Sequence, residues 1–196
     1  MKKSWIILIV IALLLVIGYS SVKNSYNTMV SLEEGVTAQW SQVENVYQRR
    51  ADLIPNLVNT VKGYAEHERE TLQGVIEARA KATSVNIDPT NLNAQSIQQF
   101  QEAQSGLSSA LSRLMVVVEK YPDLKANQSF LDLQAQLEGT ENRIAVERRK
   151  FNESAQNYNT TIRKFPKNIM ANIFGFENKN YFEAEKGAEK APVVQF

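Results

Sequence analysis

An uninterrupted apolar run near the amino terminus constrains this chain more than any other feature. Trp5-Ile6-Ile7-Leu8-Ile9-Val10-Ile11-Ala12-Leu13-Leu14-Leu15-Val16-Ile17-Gly18-Tyr19 continues through Ser20, Ser21 and Val22 without a charge. As a helix these 18 residues extend about 27 Å, close to the ~30 Å hydrocarbon core of a bilayer. A cleaved signal peptide is the alternative, and Gly18-Tyr19-Ser20 offers a weak small-x-small cleavage pattern. The long Leu/Ile/Val core and the interfacial positions of Trp5 and Tyr19 favour a retained anchor. Lys2, Lys3 and the amino terminus precede the run, whereas only Lys23 closely follows it, ahead of Glu33 and Glu34. The positive-inside bias then predicts a cytoplasmic N-terminus and an exported C-terminal part.

Composition narrows the chemistry of the rest. The 196 residues include no Cys and one His. Disulfides, thiol nucleophiles, thiolate metal sites and Cys-linked lipid anchors are therefore excluded, as is a multi-His metal centre. Gly (8) and Pro (5) are scarce, which argues against an all-β chain. A formal charge of +1 gives no footing for nucleic acid.

Apolar residues after the span recur in steps of three and four, the helical period. One stripe is Tyr26, Met29, Glu33, Val36, Trp40, Val43 and Tyr47. A second is Leu53, Leu57, Val61, Tyr64, Glu68, Leu72, Val75 and Arg79. A third is Ile97, Phe100, Gln104, Leu107, Leu111, Leu114, Val118 and Tyr121. The fourth runs Phe130, Leu133, Leu137, Thr140, Ile144, Glu147, Phe151, Ala155, Tyr158, Ile162 and Phe165. Each buries one face, the pattern of antiparallel bundles and coiled coils. The predicted fold class is all-α: a transmembrane helix (1–22), an antiparallel four-helix bundle (23–166) and a C-terminal amphipathic segment with a tail (167–196).

Breaks have local causes. Asp52 reads as an N-cap with Pro55 in the first turn after it. Asp88-Pro89 interrupts a polar connection over 84–93, Tyr121-Pro122 ends a third helix and Phe165-Pro166 a fourth. Helices are thus predicted near 23–50, 53–82, 94–121 and 125–165. The alternative at 49–56, where no Gly marks a reversal, is one kinked helix and a three-helix bundle. Lys186-Gly-Ala-Glu-Lys-Ala-Pro192 reads as mobile, ahead of an apolar Val193-Val-Gln-Phe196.

Candidate chemistry is thin. His67-Glu68 resembles the start of a zinc-binding helix, but the second His is missing because position 71 is Thr. Glu66 and Glu70 would share a helix face, most simply a solvated one. There is no phosphate-cradling Gly-rich loop and no Ser-centred elbow. Catalytic, cofactor-binding and metal-binding residues are all expected to be none. Polar residues interrupt the apolar stripes at Arg49, Arg50 and Asp52 and again at Arg143, Glu147, Arg148 and Arg149, as register-setting pairs or as surface i,i+4 pairs. Glu147, if it faces the core, needs an Arg partner such as Arg143, because an unpaired buried charge is costly. Arg163, Lys164 and Lys167 lead into Ile169, Ile173, Phe174 and Phe176, a basic and apolar combination suited to anionic lipid head groups. The same apolar residues could instead cap the bundle core.

Several long runs resemble the LemA family. They are Arg49 to Glu68 (RRADLIPNLVNTVKGYAEHE), Thr71-Leu72, Glu77 to Ala80, Asn142 to Arg149 (NRIAVERR), Tyr158-Asn159, Arg163 to Pro166, Ile173 to Phe176, Tyr181 to Ala184 and Pro192 to Phe196. The resemblance covers essentially the whole chain. It implies a bacterial membrane protein with one N-terminal span, an antiparallel helical bundle and no known catalytic residues. Some such relatives are associated with magnetosome membranes. It also implies an extracellular N-terminus, opposite to the orientation drawn from the flanking charges, which is retained here.

The function expected on these grounds is a non-enzymatic envelope scaffold or interaction protein in the bacterial cytoplasmic membrane. Its partners would be the lipid bilayer and either another protein or further copies of itself, with no nucleic acid and no identified small-molecule substrate. Alternatives are an exported sensor domain that signals through a partner, and an envelope enzyme.

Overall fold

A computed structural model describes residues 3–89 and 92–183. The mobile reading of Lys186–Pro192 and the apolar Val193–Phe196 end lie outside the described residues. The fold is all-helical, with no strand among the described residues. Its elements are α1 (Lys3–Lys62), α2 (Arg69–Ser84), α3 (Ala94–Val118), the single turn α4 (Pro122–Lys125), α5 (Gln128–Arg163) and α6 (Lys167–Phe174).

The apolar run and the first packed helix are one unit. α1 has 60 residues and would extend about 90 Å. Residues 5–22 are exposed, and burial begins where the first apolar stripe does, with Met29, Val36, Trp40 and Val43 fully enclosed.

The break predicted at 49–56 does not exist. Asp52 is no N-cap; it is a helical residue whose carboxylate accepts from Gln48 Nε2 at 2.7 Å. Pro55 lies inside α1. A proline there leaves the carbonyl four residues earlier, that of Ala51, without its helical donor. Arg79 Nε on α2 donates to that carbonyl at 2.7 Å, so the cost of the proline is offset from another helix. Arg79→Ala should therefore destabilise the protein by about 1–2 kcal/mol, because it leaves a backbone acceptor unmet near a proline. A chemical denaturation midpoint unchanged from the parent would refute that role.

The actual reversal falls at 63–68. Lys62 closes the last turn and Gly63 follows it, a common helix-stop signal. Gly63, Tyr64 and Ala65 N–H groups donate back to Asn59 and Val61 carbonyls. His67 consequently sits in a turn rather than on a helix, and Glu66 and Glu70 do not share a helical face.

The later boundaries lie close to the prolines and are completed by asparagine caps. Asn93 Oδ1 accepts from Ser96 N–H at the start of α3, and Asn127 Oδ1 accepts from Phe130 N–H at the start of α5. α5 thus begins at 128 rather than 125, and ends at Arg163.

α1 and α5 form the largest helix contact and run antiparallel, since Gln39 reaches Glu147 while Arg50, further along α1, reaches the earlier Glu141. α2 packs on α1 and α3. Two apolar cores result. One gathers Met29, Trp40, Tyr47, Phe100, Phe151 and Tyr158. The other, at the end remote from the apolar run, gathers Ile54, Leu57, Leu107, Leu114, Leu124 and Phe130. Phe165 belongs to neither: the last position of the fourth stripe is 81% exposed.

Candidate functional site

Three features could carry function: the apolar span with α6 beside it, a buried arginine between the two cores, and a strap formed by the residues after α6.

Every residue of the predicted anchor, Trp5 to Tyr19, is exposed on α1. α1 is also the one described helix long and apolar enough to cross a membrane. α6 packs against both α5 and α1. Tyr26, four residues past Val22, meets the ring of Phe174 at 4.9 Å and that of Phe176 at 5.6 Å, both edge-on. The fold thus places the predicted basic and apolar group just beyond the apolar run. Arg163 and Lys164 are exposed and Lys167 is half-buried. Ile169, Ile173 and Phe174 remain exposed, while Ala171 is buried and Met170 and Phe176 pack on the core. One face of the segment caps the core, as the second of the two expectations has it, and the other face is open. Phe165 joins the open face.

Of the two polar sets that interrupt the stripes, the one around Arg50 has an enclosed charge and the one around Glu147 does not. Glu147 faces α1, but its carboxylate accepts from Gln39 Nε2 at 2.7 Å and Lys150 Nζ at 2.8 Å, with no bond from Arg143 among the described contacts. Lys150 first, and Gln39 after it, hold the Glu147 carboxyl below its ordinary range. The most enclosed charge among the described residues is Arg50, 2% exposed, between the two cores. Its guanidinium donates to Ser108 Oγ (3.0 Å), Glu141 Oε2 (2.9 Å), Gln104 Oε1 (2.7 Å) and the Gln104 carbonyl (3.3 Å). It also lies 5.1 Å from the centre of the Tyr47 ring. Gln104 in turn donates to the Ala82 carbonyl at 3.2 Å, so a single polar layer joins α1, α2, α3 and α5. Burial pushes the Tyr47 phenol up, against the pull of Arg148 and Arg50 nearby. A groove of about 530 Å³ opens over this layer between Tyr47, Gln101, Ser105, Glu141 and Arg148. Arg50 at its floor is already engaged by α3 and α5, which suits a register-setting role more than ligand capture.

The strap went unpredicted. After Gly175, at φ 74°, the chain turns back along the helices. Asn159 Nδ2 donates to the Lys179 carbonyl, and its Oδ1 accepts from the Lys179 N–H, both at 2.8 Å. Asn152 repeats this at Phe182, donating to the carbonyl at 3.0 Å and accepting from the N–H at 2.8 Å. Phe182 is buried against Trp40, Phe100 and Phe151, with Arg148 over its ring at 4.9 Å. Lys179 Nζ pairs with Glu33 at 2.7 Å. The available signal was two asparagines seven residues apart on one helix face, since Asn is a poor interior helix former.

Among the described residues, no three His, Asp or Glu side chains come together to hold a metal ion.

A helical domain continuous with an apolar helix long enough to cross a membrane defines the class. The chain belongs to the LemA family, whose profile matches residues 39–196. It is similar to magnetosome protein MamQ 2 of Paramagnetospirillum magneticum (30% identical over 207 aligned residues, 95% of this chain and 75% of the relative). It is also similar to magnetosome protein MamQ of Magnetospirillum gryphiswaldense (30% over 188 residues, 86% and 68%). Protein LemA of Metamycoplasma hominis is 26% identical over 146 residues, 74% of this chain and 63% of that protein.

Proposed function

We propose that this protein is a single-pass, non-enzymatic membrane scaffold. The apolar part of α1 anchors it, α6 rests on the bilayer surface, and α1, α2, α3 and α5 form an antiparallel four-helix platform for interactions with proteins, including further copies of itself. The observation that carries the reading is the continuity of α1. The exposed residues 5–22 and the packed residues from Met29 onward belong to one helix, and α6 meets that helix at Tyr26. An apolar face that ends one turn from a membrane-length segment has the bilayer interface as its natural cover. Arg163, Lys164 and Lys167 add attraction for anionic head groups. The magnetosome names of two relatives fit a membrane-associated role. On the charge bias of the span, the platform lies on the exported face of a bacterial cytoplasmic membrane.

Alkaline extraction of membranes, with a reporter fused after Phe196, tests anchoring and side. The full chain should stay in the membrane fraction, with the reporter active only outside the cytoplasm. In vesicles containing anionic lipid, Ile173 replaced by a bimane-labelled Cys should report an apolar environment. Arg163→Ala/Lys164→Ala/Lys167→Ala should shift that emission toward the aqueous value. Aqueous emission in the parent would refute the surface contact while leaving the anchor intact.

A further inference from the structure

On the reading that α6 lies on the bilayer, we propose that the strap is the element that seats it, so that lipid contact by α6 and docking of the strap are one coupled equilibrium. Asn152, Asn159 and Phe182 are then positioning residues for the lipid-facing surface, although they stand away from it.

α6 cannot hold its own place. It has eight residues, below the roughly 12–15 at which an isolated helix is even marginal in water. Ala171 is the one buried residue among the eight. The placement of its open face therefore depends on what holds its two ends. At the first end α5 leads into it through Phe165-Pro166, both exposed. At the second, Gly175 turns the chain in a left-handed conformation, and the Phe176 N–H donates to the Ala171 carbonyl at 2.9 Å. Phe176 then packs on the Tyr26 ring. Glu177 and Asn178 alone separate it from Lys179. Lys179 is buried, paired with Glu33 and held at its main chain by Asn159.

This short connection is what couples the two events. The three Cα steps from Phe176 to Lys179 cover about 11 Å at most. Tyr26 and Glu33, the tethers of those two residues on α1, are seven residues and about 10.5 Å apart along the helix that leaves the apolar run. The connection has almost no slack, so the end of α6 cannot shift far while the strap is docked, and loss of the strap leaves that end on its Tyr26 contact. Beyond Lys179, Phe182 enters the pocket of Trp40, Phe100 and Phe151, and the Glu183 carbonyl accepts from Arg148 Nη2 and Gln101 Nε2. Trp40 is 18 residues past Val22, about 27 Å along α1 from the end of the apolar run. Contact at the bilayer is thereby read out at a pocket well above it. The coupling is reciprocal: whatever factor strap docking adds to lipid affinity, lipid contact adds to strap docking.

Hydrogen exchange of the unmodified full chain in vesicles tests this, because the Phe182 amide lies too far from the lipid to be shielded by it directly. Relative to phosphatidylcholine alone, an equal mixture with phosphatidylglycerol should slow exchange at the Lys179 and Phe182 amides about tenfold, within the range usual for coupled sites. Amides around Leu57 and Leu114, in the remote core, should not respond. Arg163→Ala/Lys164→Ala/Lys167→Ala should abolish the difference between the two vesicles. In the reverse direction, Asn152→Ala/Asn159→Ala in the chain labelled at Ile173→Cys should move the bimane emission toward its aqueous value, with the Leu57 and Leu114 amides still protected as the check that the domain is folded. Equal strap exchange in the two vesicles, with apolar emission at position 173, would overturn the coupling and leave the surface contact standing. Aqueous emission at position 173 in the labelled parent would overturn both.

Discussion

Replacing Arg50 with alanine should destabilise the helical domain by about 3 kcal/mol, one of the two largest single-residue effects expected here. The loss has two sources. Truncation opens a void between the cores, and it leaves Gln104, itself buried, without the donor that meets both its side-chain and main-chain oxygens. The ion pair with Glu141 contributes little, because that carboxylate is 57% exposed and well screened. Glu141→Gln should therefore cost less than about 1 kcal/mol. Arg50→Lys should not rescue the layer, since one ammonium cannot reproduce the forked reach to Ser108, Glu141 and Gln104 together. Chemical denaturation of the full chain in detergent, followed through the emission of enclosed Trp40 against a constant Trp5 signal, measures all three variants. Equal losses for the Arg50 and Glu141 variants would mean that the ion pair, and not the buried polar layer, is what matters.

Phe182→Ala should have a comparable effect, about 3–4 kcal/mol, because a fully packed aromatic side chain is removed from among Trp40, Phe100 and Phe151. The consequence should spread along the strap. Without Phe182 the segment is held by polar contacts, those of the two asparagines among them, at only about 1 kcal/mol for each hydrogen bond. Hydrogen exchange should accelerate at the Lys179 and Phe182 amides, which donate to the α5 asparagines, while amides in the remote core around Leu57 and Leu114 keep their protection. Uniform acceleration across both cores would show that the strap is inseparable from the global fold.

Both effects concern residues whose importance the sequence shows only faintly. Arg50 stands with Arg49 and Asp52 as a polar interruption of the stripes, but which of them is enclosed follows only from the meeting of α1 with α3 and α5. The stripe pattern nevertheless found most of the core. Met29, Val36, Trp40, Leu57, Leu107, Ile144 and Phe151 are all buried at the positions that the three- and four-residue steps predict. Pro122 and Pro166 follow helix ends correctly, because the residue before a proline is steered away from the helical region. Pro55 misled for a non-local reason. The donor that replaces its N–H is Arg79, 28 residues along the chain, and nothing local to Asp52–Pro55 reports it. Lys62-Gly63 did carry the true stop, and the weaker Asp52–Pro55 signal overrode it.

At the membrane-proximal end, the sequence supplied the residues and the fold supplied their division. Ile169, Ile173, Phe174 and Phe176 are equivalent by composition. Only the docking of α6 against Tyr26 and the α5 terminus decides that Phe176 joins the core while Ile173 stays open.

By itself, then, the sequence determined the elements that depend on neighbours in the chain: an apolar helix of membrane length, the helical stripes, and most of the stops and caps. These follow from hydropathy and backbone chemistry within a few residues. Tertiary structure decided what depends on partners far along the chain: the rescue of Pro55 by Arg79, the enclosure of Arg50, and the binding of Lys179 and Phe182 by Asn159 and Asn152. In each case a polar group is stable only because a distant one meets it, and no local pattern encodes that meeting.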